Sequence, residues 1–324
     1  MAEFVVEEIA PKQFPKLTSL WESSPKYLFH LPSYSAAVCN DCVVLGVRKG
    51  NDYIAAFYFV VQRGTLEKRW LSPYFTPFCG PMAPCEYYVL NSKSERFWRD
   101  CYAALIEYSA QFPSSCTLIT APGAEDVRTL QWSGWAVTPH YNYVSRWQKE
   151  GEWWDQWDNA VRRQTNKARD EGLECVVHLS SKTTVLQDLW RKNAAHQGLD
   201  ERLAENLESL GNWLQQVESG FIVIVQEASG KPHAAGLFGN DYNRVYYLAG
   251  ASDPDCHGSG APSLLHARAF EEIEIQNLPK CYDWVGANTD NIVSFKRKFN
   301  PTLEVYMRAT YQSKRGSWIA KLRS

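Results

Sequence analysis

The sequence has no apolar run of about 18 residues, the length at which a transmembrane helix becomes plausible. Its first residues, MAEFVVEEIAPKQF, are acidic where a secretory signal would be basic. Its formal net charge is only −2, so no global field attracts DNA or an anionic membrane. We therefore expect a cytoplasmic protein that neither inserts into membranes nor binds DNA. Any polyanionic partner must be held by a local basic patch.

The cysteines have no spacing typical of a disulfide framework. There are 9 of them, an odd and scattered set, which favours free thiols in a reducing compartment. Cys39 and Cys42 form a C-x-x-C pair, but neither a second pair nor histidines at ligand spacing follow. The sequence therefore predicts no metal site, and burial is the simpler interpretation of the pair.

The composition is that of an ordinary globular protein. Apolar residues make up 45% and charged residues 22% of the 324 residues, a length that fits two domains of about 150 residues each. Both halves show helices, a series of strands, a long helix, a strand, a short helix and a final strand. We therefore predict an α+β protein with two similar domains in tandem, residues 1–148 and 149–324. Within this order we predict one helix over 153–171 and a strand broken near Pro139.

The stretch from Tyr246 to Pro301 has the most specific pattern. A strand, YYLAGAS, is followed by a glycine-rich loop, DCHGSGAP, and by a helix, SLLHARAFEEIEI; a short strand, CYDWVG, and a second helix, NIVSFKRKFNP, come next. Gly258 and Gly260 allow backbone conformations closed to other residues, and Pro262 suits a first helical turn. The free N–H groups of such a helix start can bind an anion. The alternative is that the glycines form only a turn.

A second candidate region is the predicted helix over 153–171. One side would be apolar, and the rest would carry Arg162, Arg163, Lys167 and Arg169. The simpler interpretation is an amphipathic surface helix with a solvated basic face. The functional interpretation is a cationic cluster that binds the phosphates of a nucleotide-linked substrate, of coenzyme A or of an RNA end.

These motifs resemble a known family. YYLAGAS, CYDWVGA and FKRKFNP, together with NAVRRQTNKARDEGLEC upstream, resemble the C-terminal module of the Fem-type transferases, which belong to the broader superfamily with the GNAT fold. The resemblance implies two tandem GNAT-like domains, each a mixed, mostly antiparallel sheet flanked by helices. It also implies a substrate cleft between them. The long coiled-coil arm that often accompanies Fem proteins using aminoacyl-tRNA has no counterpart in this sequence.

The resemblance also implies site residues. Lys296, in the pair Phe295–Lys296, corresponds to the lysine that neutralises the anionic part of the substrate, although it could equally point to water beside a core phenylalanine. Tyr246 corresponds to a tyrosine that contacts the acceptor, or is a core residue. The family has a second aromatic residue where this sequence has Leu248.

Two polar residues near the second strand are further candidates. Asp283 is the only acid on that predicted strand, and a carboxylate there is costly unless it is paired or functional. Structural pairing with a cation, for example on the helix of Lys296, is one interpretation. A general base that accepts the proton of an attacking amine is the other. Asn288, in the following loop, could contact a ligand.

Transfer of an acyl group to an amine is the function that the resemblance implies. We expect acyl-CoA as a co-substrate, with no permanently bound cofactor, because the arm is missing and because Gly258, Ser259, Gly260 and Ala261 stand where GNAT proteins hold pyrophosphate. Asp255 occupies a position where the usual signature has Arg or Gln. The acceptor would be a small or nucleotide-linked amine. The alternatives are an aminoacyl-tRNA-dependent peptidyl transferase acting on a cell-wall precursor and a non-catalytic binding module with the same fold.

Overall fold

The structure is a computed structural model that describes residues 4–39, 41–64, 67–111, 113–124, 126–197 and 201–313. The strands are β1 (Phe4–Glu8), β2 (Cys42–Lys49), β3 (Asp52–Arg63), β4 (Lys68–Leu71), β5 (Ser115–Ile119), β6 (Ala136–Arg146), β7 (Glu174–Leu179), β8 (Gly220–Gln226), β9 (Pro232–Asn240), β10 (Val245–Ser252), β11 (Cys281–Asp283) and β12 (Thr302–Gln312). The α-helices are α1 (Thr18–Ser23), α2 (Pro32–Val38), α3 (Ser92–Ser109), α4 (Arg128–Trp132), α5 (Glu152–Gln156), α6 (Asn159–Asp170), α7 (Thr184–Gln197), α8 (Leu203–Gln216), α9 (Ala261–Ile275) and α10 (Asp290–Lys296). None of the helices in these ranges combines the length and the apolar character needed to cross a bilayer.

The chain forms two compact units. The first comprises Met1–His140 together with Val305–Ser324, and the second comprises Tyr141–Glu304. This division differs from the predicted boundary at residue 148 because the last strand belongs to the first unit. β12 pairs antiparallel with β5, from Arg308 opposite Ile119 to Gln312 opposite Ser115. The chain thus comes back to the first unit after completing the second. This depends on pairing between strands that are distant in sequence, which local sequence patterns do not report.

The first unit is a mixed sheet in the order β1-β2-β3-β4-β5-β12, in which only β4 and β5 are parallel to each other. Alternation along β2 directs Val43, Leu45 and Val47 into one core and Val44 into another. The long helix α3 packs its apolar side on the first of these cores. Its first turn is capped by Asn91, whose side chain accepts hydrogen bonds from two backbone N–H groups.

The second unit is also a mixed sheet, in the order β6-β11-β10-β9-β8-β7, with only β10 and β11 parallel. Helix α9 is buried along most of its length and packs on β8 and β9. Both units are thus mostly antiparallel sheets flanked by helices, as predicted.

Two predictions of local structure were wrong. The helix expected over 153–171 is two helices, α5 and α6, because Trp157 and Asp158 have extended backbone conformations. The break places the ring of Trp157 against Phe270, with ring centres 5.3 Å apart. The strand expected to break near Pro139 is continuous as β6. A proline is compatible with a strand at a position whose N–H the ladder does not need.

Candidate functional site

The second unit contains a cavity of about 280 Å³, formed by α7, β9, β10, α9 and α10. Its strand side is made mainly of small residues, namely Ala234, Ala235, Gly250 and Ala251. The rings of Tyr247, His266 and Phe295 contribute to its remaining walls. A volume of this size lies near the lower end of ligand pockets. The cavity therefore fits a small group, such as the acyl end of a larger molecule.

Beside this cavity, β10 is interrupted by a β-bulge. The register against β9 shifts between Tyr247 and Ala249, so that Leu248 has no partner on that strand. A bulge redirects side chains and leaves its extra residue out of the ladder, and bulges are frequent next to active sites. On the other edge, β10 pairs with β11 only through Val245 and Tyr246. The two parallel strands thus stop pairing one residue before the bulge begins.

The two adjacent tyrosines of β10 have different environments. Tyr246, the predicted catalytic residue, is completely buried, and its hydroxyl donates to Oδ2 of Asp241 at 2.8 Å. Tyr247 is the tyrosine that lines the cavity. Its hydroxyl lies over Gly250, since a Cβ added at Gly250 would be 1.7 Å from that oxygen. These placements agree with the interpretation of Tyr246 as a core residue and bring Tyr247, which the sequence analysis did not select, to the cavity.

Lys296 is buried, with 6% of its surface exposed. Its ammonium group donates hydrogen bonds to the carbonyl oxygens of Trp284, Val285 at 3.1 Å and Gly286 at 3.0 Å. Burial lowers the pKa of Lys296 to about 8, against the opposing attraction of Asp283. An ammonium has three donors, so each of them has a backbone acceptor in the turn after β11.

The turn that Lys296 binds has an unusual backbone. Val285 has a φ of +47° and Gly286 a φ of +89°, and the left-handed region is rarely adopted by a β-branched residue. Side chains hold both residues: the N–H of Val285 donates to Asp283 Oδ1 at 2.9 Å, and that of Gly286 to Asn142 Oδ1 at 2.8 Å. The turn is therefore fixed by a carboxylate, an amide and an ammonium group together.

Asp283 is completely buried. Its Oδ1 accepts from Asn142 Nδ2 at 2.7 Å, and its Oδ2 accepts from Arg244 at 3.1 Å. Burial raises the pKa of Asp283, and Arg244 and Asn142 oppose this rise. The cation in contact with Asp283 is thus Arg244, just before β10, and not a residue of α10 as the sequence analysis had considered. These contacts are those of structural pairing, and both carboxylate oxygens are already used.

The two remaining candidates near α10 also have defined contacts. The side-chain amide of Asn288 pairs with the backbone of Tyr141 in both directions, each at 2.8 Å. Phe295 lines the cavity and packs against Phe299, with ring centres 5.1 Å apart. Phe295 is therefore at the cavity, whereas the amide of Asn288 serves a backbone segment.

The glycine loop leads into α9 in a tightly packed conformation. Gly260 has a φ of +73°, and a Cβ there would lie 2.3 Å from the carbonyl oxygen of Gln164 in α6. The N–H of Ala261 donates to Ser259 Oγ at 3.3 Å, while Gly258 is exposed. Glycine at position 260 thus permits the close approach of α6.

The basic face of α6 is largely paired with acids, two of them close in sequence and one distant. These ion pairs are Arg162 with Asp155 at 3.8 Å, Lys167 with Glu171 at 3.5 Å and Arg169 with Glu271 at 2.7 Å. Lys167 also donates to the carbonyl oxygen of Gly258 at 3.4 Å, so α6 and the glycine loop meet there. Arg163 is exposed and has no ion-pair or hydrogen-bond partner among the described residues. Lys167 is thus a cation of α6 that contacts the glycine loop.

His266 also belongs to the cavity wall, although none of the sequence motifs above selected it. It lines the cavity from α9, with its ring centre 4.7 Å from that of Tyr247 and its Nδ1 2.8 Å from the Tyr282 hydroxyl. Burial and, secondarily, the Lys296 charge hold its pKa well below the ordinary 6.5, so the imidazole is neutral at pH 7. The sequence signal that could have identified it is its place on the helix that the glycine loop opens.

No group of three or more His, Cys, Asp and Glu side chains in the described ranges is arranged to hold a metal ion. The cavity combines a bulged strand, a helix start, a neutral imidazole and a tyrosine. Such groups can orient a carbonyl compound and donate hydrogen bonds to it.

The sequence matches no protein-family model and no curated protein. The structure is similar to FemX, with a TM-score of 0.67 and 10% identity over 98% of this chain and 99% of that one. It is also similar to L-PGS from Bacillus licheniformis, with a TM-score of 0.57 and 13% identity over 98% and 96% of the two chains. A tandem GNAT protein from the clavulanic acid biosynthesis pathway gives a TM-score of 0.56 and 9% identity over 96% and 98%. At these identities the similarity is one of fold, and it confirms the predicted Fem-type resemblance and the α+β fold of two GNAT-like domains.

Proposed function

We propose that this protein is an acyltransferase that moves an acyl group from an activated, phosphate-bearing donor to an amine. The observation that carries the proposal is the cavity of about 280 Å³ beside the bulge of β10 and the first turns of α9. In this proposal, backbone N–H groups at the bulge of β10 and at the helix start would serve at the two places where the reaction needs donors. One place is the oxygen that becomes negative, and the other is the phosphate of the carrier.

In this reaction the amine attacks the acyl carbonyl directly. The nitrogen–carbon bond forms, the bond from the carbonyl carbon to the carrier breaks, and the proton lost by the amine accompanies the departing carrier. No enzyme nucleophile is required. The rate gain would come mainly from holding the two reactants in position and from stabilising the negative oxygen.

Acyl-CoA is the donor that we propose first. The loop from Gly258 to Ala261 opens α9 next to the cavity, and Lys167 reaches its backbone at 3.4 Å. Arg163 is one helical turn before Lys167 on α6, and residues at this spacing are neighbours on the helix surface. In this proposal, these two cations and the loop would hold the pyrophosphate group of the carrier.

A second candidate is an aminoacyl-tRNA donor with a nucleotide-linked acceptor such as a cell-wall precursor. The observation that favours it is the similarity of fold to FemX, which extends over 98% of this chain. Binding of tRNA through Arg162, Arg163 and Lys167 would weaken steeply with salt, because each neutralised phosphate releases counterions. A small carrier such as acetyl-CoA would show a much weaker dependence.

Thermal-shift measurements followed by transfer assays would test these alternatives. The ligands are CoA, acetyl-CoA, charged tRNA and nucleotide-sugar precursors, since a ligand that binds only the folded state raises the melting temperature. Stabilisation by CoA and acetyl-CoA, with release of free CoA thiol from acetyl-CoA when an amine is added, supports acyl-CoA as the donor. Stabilisation by charged tRNA alone supports the second candidate. Binding without product from any donor would identify a non-catalytic module and contradict the proposal.

Variants of the loop would locate the donor site. Gly260 is unsuitable for this purpose because any side chain there meets the backbone of α6. We expect Ser259→Glu to weaken binding of acetyl-CoA at least about tenfold, roughly 1.4 kcal/mol, by placing a negative charge at the helix start. Ser259→Gln has a similar volume without the charge and should bind more tightly. Equal affinities for the two variants would place the phosphate elsewhere.

Loss of one cation provides a second check. Lys167→Met should weaken the same binding, whereas Arg169→Gln should not, because Arg169 pairs with Glu271, which lies ten residues along α9 from the glycine loop, about 15 Å away. If both variants bind acetyl-CoA as the unchanged protein does, α6 does not contact the carrier.

A further inference from the structure

His266 is enclosed by aromatic rings on the inner side of the cavity. It is 1% exposed, and its ring centre lies 4.6 Å from that of Trp284 and 4.7 Å from that of Tyr247. Because His266 lines the cavity, its ring can form a hydrogen bond with a ligand there. The surroundings of that hydrogen bond are largely shielded from water. Hydrogen bonds are stronger in such surroundings than in bulk solvent.

The contact with Tyr282 fixes which nitrogen of His266 carries the proton. Tyr282 is completely buried, and the one hydrogen-bond partner of its hydroxyl among the described residues is Nδ1 of His266, at 2.8 Å. A buried hydroxyl hydrogen requires an acceptor, and burial raises the pKa of Tyr282, so the hydroxyl keeps its proton and donates it. Nδ1 therefore accepts, and in a neutral imidazole the other nitrogen, Nε2, carries the hydrogen.

The donor at Nε2 is not used by the protein. It has no hydrogen-bond partner among the described residues. Some side-chain nitrogen and oxygen atoms of the described residues are buried from solvent and have no hydrogen-bond partner. Both ring nitrogens of His30 are among these atoms, but neither ring nitrogen of His266 is. Since His266 lines the cavity, its Nε2–H is open to that space. Conversion to the imidazolium is opposed by burial and by the nearby ammonium of Lys296.

From this geometry we propose that His266 is a catalytic residue that acts as a neutral hydrogen-bond donor, with Nε2–H directed to the carbonyl oxygen of the acyl group. The inference rests on the acyl transfer proposed above. As the amine nitrogen bonds to the carbonyl carbon, the carbonyl becomes an oxyanion; its double bond re-forms when the bond to the carrier breaks. His266 keeps its proton throughout. A donor of this kind binds the oxyanion more strongly than the ground-state carbonyl, which lowers the barrier.

Tyr282 is then a positioning residue, because it acts through the imidazole. It holds the tautomer in which Nε2 presents a hydrogen, and not a lone pair, to the cavity. Replacement by Phe removes this constraint, so that the hydrogen can move to Nδ1. The structure thus assigns different and separable effects to the two residues.

Nuclear magnetic resonance of the imidazole nitrogens of His266 tests the proposal directly. In the free protein we expect Nε2 to be protonated and Nδ1 not, and we expect Tyr282→Phe to populate the other tautomer. Acetyl-CoA and 3′-alanyl-adenosine are the probes, with CoA and adenosine as matched compounds that lack the acyl carbonyl. The Nε2–H signal should shift with an acyl-bearing probe and remain in place with its matched compound.

Kinetics provide the second measurement. His266→Ala should lower the rate of acyl transfer about 100-fold, the usual cost of losing one donor to an oxyanion. His266→Gln keeps an N–H donor and should recover part of the rate, which a purely structural role would not predict. His178→Gln, at an exposed position of β7, is the matched control and should leave the rate unchanged. Melting temperatures show which variants are folded.

The outcomes separate this proposal from the proposed function. If a probe stabilises the protein while the Nε2–H signal stays unchanged, or if folded His266→Ala transfers acyl groups at the full rate, the role of His266 is overturned and acyl transfer stands. If neither acyl carrier stabilises the folded protein, the acyltransferase function is what fails, and the role of His266 fails with it.

Discussion

At the scale of single residues, Lys296 has the most consequential environment. Its three hydrogen-bond acceptors are backbone carbonyl oxygens of the turn at 284–286, and its pKa is lowered to about 8 by burial. The charge at pH 7 is therefore held by dipoles of the turn that precedes α10. Lys296 influences the cavity through this turn and through the ring of Tyr247, whose centre is 5.8 Å from Nζ.

The lowered pKa of Lys296 predicts a dependence of stability on pH. Between pH 8 and the ordinary value of 10.5, the unfolded chain binds a proton that the folded protein has released, so stability rises with pH in this window. The free energy of unfolding of the unchanged protein, minus that of Lys296→Met, should increase by roughly 3 kcal/mol across it. Urea unfolding at several pH values measures the difference, and the exposed Lys298→Met is the control. A difference that does not change with pH would contradict the burial of the ammonium.

The pair of Arg244 and Asp283 supports a second prediction. Arg244 bonds Oδ2 of Asp283 at 3.1 Å and Glu304 at 2.7 Å, and removal of one partner leaves a buried charge without its counterion. Arg244→Met should therefore destabilise the protein by about 3 kcal/mol at pH 7. The deficit should shrink in acid, because Asp283 then takes up a proton. Adding Asp283→Leu should restore part of the loss in the double variant; a strictly additive result would show that the two side chains do not interact.

At the scale of elements, the contact between α6 and α9 depends on one glycine. Gly260 combines a φ of +73° with the carbonyl of Gln164 at 2.3 Å from a Cβ position. Gly258 has a φ of +81° but no atom within 4 Å of its Cβ position. The same substitution thus tests strain alone at one position, and strain together with a steric clash at the other.

We expect Gly258→Ala to cost about 1 kcal/mol, from the left-handed backbone alone. Gly260→Ala should cost at least about 2 kcal/mol more, because α6 or α9 must move away. Urea unfolding measures both. Equal costs would mean that the helices separate easily, and the close approach would then not be what requires glycine at 260.

Elements and single residues were predictable to different extents. Helices and strands followed from apolar periodicity, and the glycine loop with its helix followed from the order of residues. The break at Trp157 did not, because it accompanies a contact with Phe270, which is distant in sequence. The choice between Tyr246 and Tyr247 could not be made either, since the bulge that places Tyr247 at the cavity depends on pairing with β9. The pairing of Arg169 with Glu271 could not be predicted either, because Glu271 is distant in sequence.

At the scale of the whole molecule, the main result beyond the sequence prediction is that the first unit is discontinuous. Its strand β5 is paired on one side with β4 and on the other with β12, which follows the entire second unit in the chain. Sequence patterns identified β12 as a strand but assigned it to the C-terminal domain, since nothing local records its partner.

Removal of the segment after Glu304 should therefore affect the first unit. In the truncated chain we expect faster hydrogen exchange of the amides of β5, Ser115–Ile119, while those of β8 and β9 keep their protection. A chain that ends after Ser313 retains the described pairs of β12 with β5 and is the matched control. Unchanged protection of β5 in the shorter chain would show that β12 is not needed to hold that strand.

The discontinuity of the first unit also determines an order of events at the ribosome. Translation delivers every residue of the second unit before it delivers the segment from Val305 onward. The first unit cannot complete its sheet until the residues of β12 that pair with β5 have been made. The second unit can therefore complete its sheet before the first unit does, although its residues are synthesised later.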